Sequence, residues 1–134
     1  MKFFAFAAFG AAIVLAGCNE SRPGAAEPAA LPKMSVAFNW CEGASPSFRI
    51  GQIPAASRSL RFKLVDRDAP AWNHGGGELR LSGPSANVPC GSISSGYNGP
   101  NPPAGQTHTY EWTVTALDVS GTAIAIGTAS KKYP

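Results

Sequence analysis

The sequence predicts a small all-β domain, an antiparallel β-sandwich with Greek-key connections and little helix. The chain has 15 Gly and 12 Pro in 134 residues, and so many chain-reversing residues favour short strands and turns over long helices. Two segments also alternate between apolar and polar residues, which is typical of half-buried strands. The net charge of +3 comes without a stripe of Lys or Arg, which argues against a nucleic-acid-binding protein.

The N-terminal segment has the features of an export signal. Residues 1–17 hold one charge, Lys2, ahead of an apolar run that is too short to span a membrane permanently and is typical of a signal peptide. The run ends at Leu15-Ala16-Gly17-Cys18, which resembles the bacterial lipobox, where the Cys receives a diacylglycerol and becomes the first mature residue. We therefore expect a lipoprotein anchored in the bacterial cell envelope and facing the periplasm. Ordinary signal cleavage, with Cys18 an incidental thiol, is the alternative.

The next segment separates the anchor from the folded domain. Residues 18–33 contain three Pro and four charges but no aromatic side chain, and such a composition cannot bury enough apolar surface to order itself. We expect a flexible tether there. Residues 34–134 remain as the folded domain, which is long enough for one small hydrophobic core.

The first clear strand covers residues 59–68, which read SLRFKLVDRD. Leu60, Phe62 and Leu64 share one phase of the alternation, and that phase continues to Asp66. An acid on the apolar side of a strand is unfavourable unless donors or a cation lie beside it. Asp66 therefore either caps the amides of the following turn or lines a pocket, and the pattern leaves both open.

The second clear strand covers residues 107–118, which read THTYEWTVTALD. Its aromatic and β-branched residues favour a strand, and His108 starts the apolar phase. We therefore expect Asp66 and His108 to face inward from the ends of two different strands. Weaker patterns predict strands over residues 34–40, 78–82 and 122–128, and turn clusters cover 73–77, 82–85 and 96–103.

The sequence lacks the usual signatures of catalysis or metal binding. His74 and the three Gly after it resemble an esterase oxyanion loop, but the Gly-x-Ser-x-Gly elbow that such enzymes need is missing. A zinc site built from His74, His108 and a carboxylate lacks paired ligand spacing. Two isolated histidines are more often ordinary surface or core residues. We expect no metal and no cofactor.

Two motifs resemble the phosphatidylethanolamine-binding protein family, also called Raf kinase inhibitor-like proteins. The segment Asp66-Arg67-Asp68-Ala69-Pro70 is similar to the first family signature, with Arg67 in place of the usual Pro. Residues 97–110, YNGPNPPAGQTHTY, are similar to the second, which ends in His-x-Tyr. The resemblance spans residues 34–134. The helical C-terminal extension of the eukaryotic members has no counterpart in this sequence.

The resemblance implies a β-sandwich with a small anion-binding pocket. The first motif supplies an acid, the intervening segment a His, and the second motif the His-x-Tyr pair and a Pro-Pro turn. The implied ligand-binding residues are Asp66, His74, His108 and Tyr110, with Gly99, Pro102 and Pro103 shaping the floor.

The function that follows from this resemblance is non-enzymatic binding of a small anion. The expected ligand is a phosphoryl or carboxylate group, or a phospholipid headgroup, and the expected protein is tethered to the membrane. Two other functions stay open. One is an inhibitor or scaffold of a protein partner with a vestigial pocket, and the other is a weak hydrolase, because His and Asp can act as acid and base.

The cysteine count predicts one disulfide. If Cys18 carries lipid, Cys41 and Cys90 are the two thiols left in an oxidising compartment, and such pairs form bridges there. Two separate buried thiols are the alternative.

Overall fold

The computed structural model describes residues 29–134, which form seven strands in two packed antiparallel sheets. One sheet has the order β1-β2-β5 and the other β4-β3-β6-β7. No helix that could cross a membrane occurs in this range. The predicted all-β sandwich is confirmed. The strands are β1 (Ser35–Cys41), β2 (Ala44–Gly51), β3 (Ser59–Asp66), β4 (Gly76–Arg80), β5 (Ala86–Val88), β6 (His108–Leu117) and β7 (Ala123–Tyr133).

An aromatic core joins the two sheets. The ring of Phe48 on β2 lies 5.0 Å from that of Phe62 on β3 and 5.1 Å from that of Trp112 on β6, measured between centroids. All three side chains are buried, and burying each stabilises the fold by about 2–3 kcal/mol. The inward phases predicted for the strands at 59–68 and 107–118 are the ones that face this core.

The pairing of β3 with β6 brings the two strand ends together. Their antiparallel register runs from Ser59 opposite Leu117 to Asp66 opposite Tyr110. Residues two apart on a strand share a face, so His108 lies on the same face as Tyr110, next to Asp66. The end of β3 and the start of β6 therefore form one edge of the sandwich.

Two strands were not predicted, β2 and β5. β2 contains Pro46 in a stretch where its pairing with β1 changes register between Asn39 and Cys41. Such irregular pairing tolerates a residue without an amide hydrogen, but Pro and Ser in the sequence indicate a turn. β5 has only three residues, too few to show alternation.

Glycines shift β4 two residues toward the N-terminus of the predicted strand. A Cβ atom at Gly76 would lie 1.9 Å from the carbonyl oxygen of Phe62, and one at Gly75, whose φ is +67°, would lie 1.8 Å from that of Gly96. Only Gly allows such close approach of the backbone. The glycines after His74 thus fit the chain between β3 and the loop at residue 96, which fixes the position of His74.

The ends of the domain differ from the predicted ones. β7 continues to Tyr133, five residues beyond the expected end at 128. The amide of Ile126 on this strand donates to the carbonyl oxygen of Pro32 at 2.9 Å, so the folded part includes the last residues of the expected tether. The predicted signal peptide and the lipidation site at Cys18 lie outside the described residues.

The predicted disulfide is present between Cys41 at the end of β1 and Cys90 just after β5. The two Cα atoms are 5.9 Å apart, and 49 positions separate the residues in sequence. The bridge ties the two edge strands of the three-stranded sheet together.

Replacing both cysteines, Cys41→Ala with Cys90→Ala, should lower the free energy of unfolding by up to about 4 kcal/mol, the chain-entropy value for a loop of this length. Chemical denaturation of the variant and the wild type under non-reducing conditions measures the difference. Alkylation of the denatured, non-reduced wild-type domain should find neither thiol free. Two free thiols, or equal stabilities, would contradict the prediction.

Candidate functional site

A cavity of about 270 Å³ opens where β3 ends and β6 begins, and we call it the histidine cavity. It brings together four of the residues predicted from the sequence: Asp66, His74, His108 and Pro103. Two loops complete it, one after β3 and one before β6. The lining residues are Asp66, Ala69, Trp72, His74, Asn101, Pro103 and His108.

The carboxylate of Asp66 both caps a turn and lines the cavity. Its Oδ1 accepts hydrogen bonds from the amides of Asp68 at 2.9 Å and Ala69 at 3.1 Å, and its Oδ2 lies 2.6 Å from Nδ1 of His108. The residue is only 3% exposed. The two alternatives that the sequence left open are therefore both true of this side chain.

Hydrogen bonding keeps Asp66 ionised despite its burial. Burial by itself raises the pKa of this carboxyl, but the hydrogen bonds from His108 and from the amides of Asp68 and Ala69 outweigh it, and the pKa lies below the ordinary value of 3.8. An ionised carboxylate only accepts hydrogen bonds. The Nδ1 atom of His108 therefore carries the hydrogen and donates it to Asp66.

The other ring nitrogen of His108 faces a side chain that can move. Nε2 lies 3.1 Å from the side-chain oxygen Oε1 of Gln106, which belongs to an exposed residue of the loop before β6. The amide of Gln106 can turn its oxygen to a protonated Nε2 or its NH₂ group to an unprotonated one. Gln106 thus covers the nitrogen that a ligand in the cavity would use.

The ring of His74 is oriented by main-chain carbonyls. Its Nδ1 lies 2.9 Å from the carbonyl oxygen of Asn98 and 3.1 Å from that of Gly99. Carbonyls only accept, so Nδ1 carries the hydrogen here as well, and Nε2 is left for a ligand. Gly99 therefore contributes through its carbonyl. Neither Gly99 nor Pro102 lines the histidine cavity, although the resemblance places both in its floor.

Tyr110 lies behind the two imidazoles and does not line the cavity. Its ring is perpendicular to that of His74 at 5.3 Å and stacked on that of His108 at 6.3 Å. Burial first, and then the charge of Asp66, raise the pKa of Tyr110 to about 12. Its buried hydroxyl has no well-aligned hydrogen-bond partner among the described residues. The raised pKa keeps this hydroxyl neutral, and the aromatic ring packs against both imidazoles.

Sequence reasoning missed four residues of the site: Ala69, Trp72, Gln106 and Asn101. Trp72 is the clearest omission, because its side chain is 63% exposed at the rim of the cavity. A large aromatic outside any strand phase, between Pro70 and the glycines, was a usable signal. Gln106 was not, because nothing in the alternation pattern places a loop amide against a ring nitrogen.

Three potential metal ligands cluster at this site, and hydrogen bonds connect them to the surrounding chain. One atom each from Asp66, Asp68 and His108 lies within 4.8 Å of the others. The amide of Thr109 donates to Oδ2 of Asp68 at 2.6 Å. Nδ1 of His108 carries a hydrogen, so this nitrogen does not ligate a metal in that state. The contacts of the three side chains described here are those of a hydrogen-bond network.

No protein-family model matches the chain. No curated protein matches it either. The resemblance to the phosphatidylethanolamine-binding proteins therefore rests on the two sequence motifs alone and stays a prediction.

The ionised state of Asp66 predicts how stability depends on pH. A carboxyl whose pKa is lowered by folding stabilises the native state above its unfolded pKa, and this contribution is lost as the pH falls through the folded pKa. Asp66→Asn should lower the free energy of unfolding by about 2 kcal/mol at neutral pH. The side-chain amide has only one oxygen, so either its NH₂ group faces the N–H of His108, or it faces the amides of Asp68 and Ala69 and loses those two hydrogen bonds. The difference from wild type should shrink below about pH 4.

Chemical denaturation at several pH values measures this difference. Glu42→Gln is the matched control, because Glu42 is an exposed carboxylate in the turn between β1 and β2 and should leave stability unchanged. A difference between Asp66→Asn and wild type that stayed constant down to about pH 2 would contradict the assignment.

Proposed function

We propose that the histidine cavity binds a small oxyanion, the phosphoryl or carboxylate group of a free ligand or of a phospholipid headgroup. The protein would be a non-enzymatic binding protein related to the phosphatidylethanolamine-binding proteins, anchored through Cys18 in the bacterial cell envelope and facing the periplasm. One observation carries the proposal. His74 and His108 line the same cavity, and each has its Nδ1 hydrogen bonded to the protein, so that Nε2 of His74 can reach a ligand directly and Nε2 of His108 can do so once the Gln106 side chain turns away.

The charges around the cavity make binding depend on protonation of the imidazoles. Asp66 is ionised, and Asp68 lies close to it, so neutral rings leave the site negative. A protonated ring offers an N–H donor and a positive charge, and such charge-assisted bonds are about twice as strong as neutral ones. Arg67 cannot replace them, because its guanidinium pairs with Glu111 at 3.4 Å and does not line the cavity.

The residue types in the cavity favour binding over nucleophilic catalysis. Covalent catalysis most often uses a Ser, Thr or Cys activated by a neighbouring base, and a carboxylate nucleophile has to be free of strong donors. The carboxylate of Asp66 accepts from two amides and from His108. None of the described residues that line the cavity is a Ser, Thr or Cys. The carboxylate of Asp66 and the Nδ1 atoms of both imidazoles are instead fixed by hydrogen bonds within the protein, which suits a preformed binding site.

Anion binding should weaken as pH rises from about 5.5 to about 8, because a charged imidazole gives a stronger, charge-assisted hydrogen bond to an anion than a neutral one. The chain has two His, so NMR titration with phosphate, acetate and phosphorylethanolamine should shift two imidazole signals. Calorimetry gives the affinities. His108→Ala should remove most of the binding, since it deletes one of the two donors.

Arg49→Ala is the control for non-specific attraction of anions. Arg49 is an exposed cation on β2, away from the cavity, and its loss should leave the affinity unchanged. Affinity that is flat across the pH range, or that His108→Ala does not alter, would contradict the proposal.

Gln106 should compete with the anion for Nε2 of His108. Gln106→Ala should therefore raise the affinity for phosphate by about fivefold, the equivalent of one neutral hydrogen bond that no longer has to be broken. Thr107→Ala is the matched control, because Thr107 is its exposed neighbour. A lower affinity in Gln106→Ala would show that the amide contacts the ligand directly and would contradict the competition.

A further inference from the structure

A second cavity, of about 550 Å³, lies on the other side of the loop that follows Tyr97. We call it the aromatic cavity, after Trp40, Tyr97 and Tyr133. Gly99 and Pro100 contribute to its wall, whereas Asn101 and Pro103, a little further along the same loop, line the histidine cavity. The two cavities thus share one loop but none of their lining residues.

The three aromatic side chains are held in place before any ligand arrives. The rings of Trp40 and Tyr133 lie 5.4 Å apart at 74°, so they form two nearly perpendicular walls. The indole Nε1 of Trp40 donates to the carbonyl oxygen of Lys132 at 3.1 Å, and Tyr97 stacks on buried Trp112 at 5.6 Å. Preset side chains lose little conformational entropy on binding, which favours a site.

The aromatic cavity is polar but uncharged. No Asp, Glu, Lys, Arg or His is among the described residues that line it, whereas Ser94 and the two tyrosines bring hydroxyl groups. Burial first, and then the neighbouring Tyr133, raise the pKa of Tyr97, so its hydroxyl is neutral. The ligand that complements this lining is itself neutral, with one apolar face and several hydroxyl groups.

We infer that the aromatic cavity binds a neutral sugar ring. The C–H face of a pyranose packs against the faces of Trp and Tyr rings, and its hydroxyls exchange hydrogen bonds with Ser and Tyr hydroxyls. The cavity volume is in the usual range for small-molecule sites, about 300–1,000 Å³.

Two other ligand classes fit this cavity less well. An anion would find no cation among the lining residues. A quaternary ammonium group would be attracted to the ring faces, but it would leave the hydroxyls of Ser94 and the tyrosines without partners.

The test uses the indole N–H signals of the three Trp residues. NMR titration with glucose, galactose, mannose and N-acetylglucosamine should shift the signal of Trp40 with at least one of these sugars and leave that of Trp72 unchanged. Trp40→Leu should weaken sugar binding by about tenfold, and Tyr97→Phe, which keeps the ring, by about fivefold.

Trp72→Ala is the matched control, because Trp72 lines the histidine cavity, and it should leave sugar binding unchanged. Circular dichroism and the disulfide content of Trp40→Leu establish that this variant is folded, independently of any ligand. Three results would overturn the inference: none of the four sugars shifts Trp40, Trp40→Leu binds sugar as well as wild type, or tetramethylammonium shifts Trp40 more strongly than every sugar.

Discussion

The carboxylate of Asp66 is the point on which the geometry of the histidine cavity depends. It is removed from water, a loss that only several donors can offset, and the amides of Asp68 and Ala69 together with Nδ1 of His108 supply them. The same group therefore sets the turn after β3 and the orientation of an imidazole on β6. Because Asp66 lies opposite Tyr110 in the β3–β6 register, neither strand could slip without separating the acid from the imidazole of His108.

Alternation predicted the strands that carry both the core and the acid–imidazole pair. Residues 59–68 and 107–118 each have one face buried, and burial of one face is what produces a period of two in a sequence. β2 was not recognised in the sequence, because Pro46 and the irregular pairing with β1 interrupt the alternation of apolar and polar residues. β5 is too short for any period. Both strands are stabilised by pairing with a neighbouring strand. Such pairing joins residues that are distant in sequence, so a local pattern does not reveal it.

The site was predictable to the extent that its residues belong to strands. Asp66 and His108 were expected to face inward at strand ends, but their direct bond depends on register, which alternation alone does not give. Two further contacts come from loops, the carbonyl of Gly99 with His74 and the side chain of Gln106 with His108. Loops have no periodic alternation from which such contacts could be predicted. The resemblance supplied His74, and the close backbone approaches at Gly75 and Gly76 explain why this His needs glycines after it.

The loop from Tyr97 to Asn101 connects the two cavities mechanically. On one side, His74 holds the carbonyls of Asn98 and Gly99. On the other, the ring of Tyr97 stacks on Trp112, and the amide of Asn98 donates to the carbonyl of His74 at 2.9 Å. A ligand that moves His74 must therefore change the bonds that position the wall of the aromatic cavity. The ring of Tyr110 provides a second connection, because it contacts both imidazoles on one side and the rings of Trp40 and Tyr133 on the other. Any coupling between the two cavities is reciprocal.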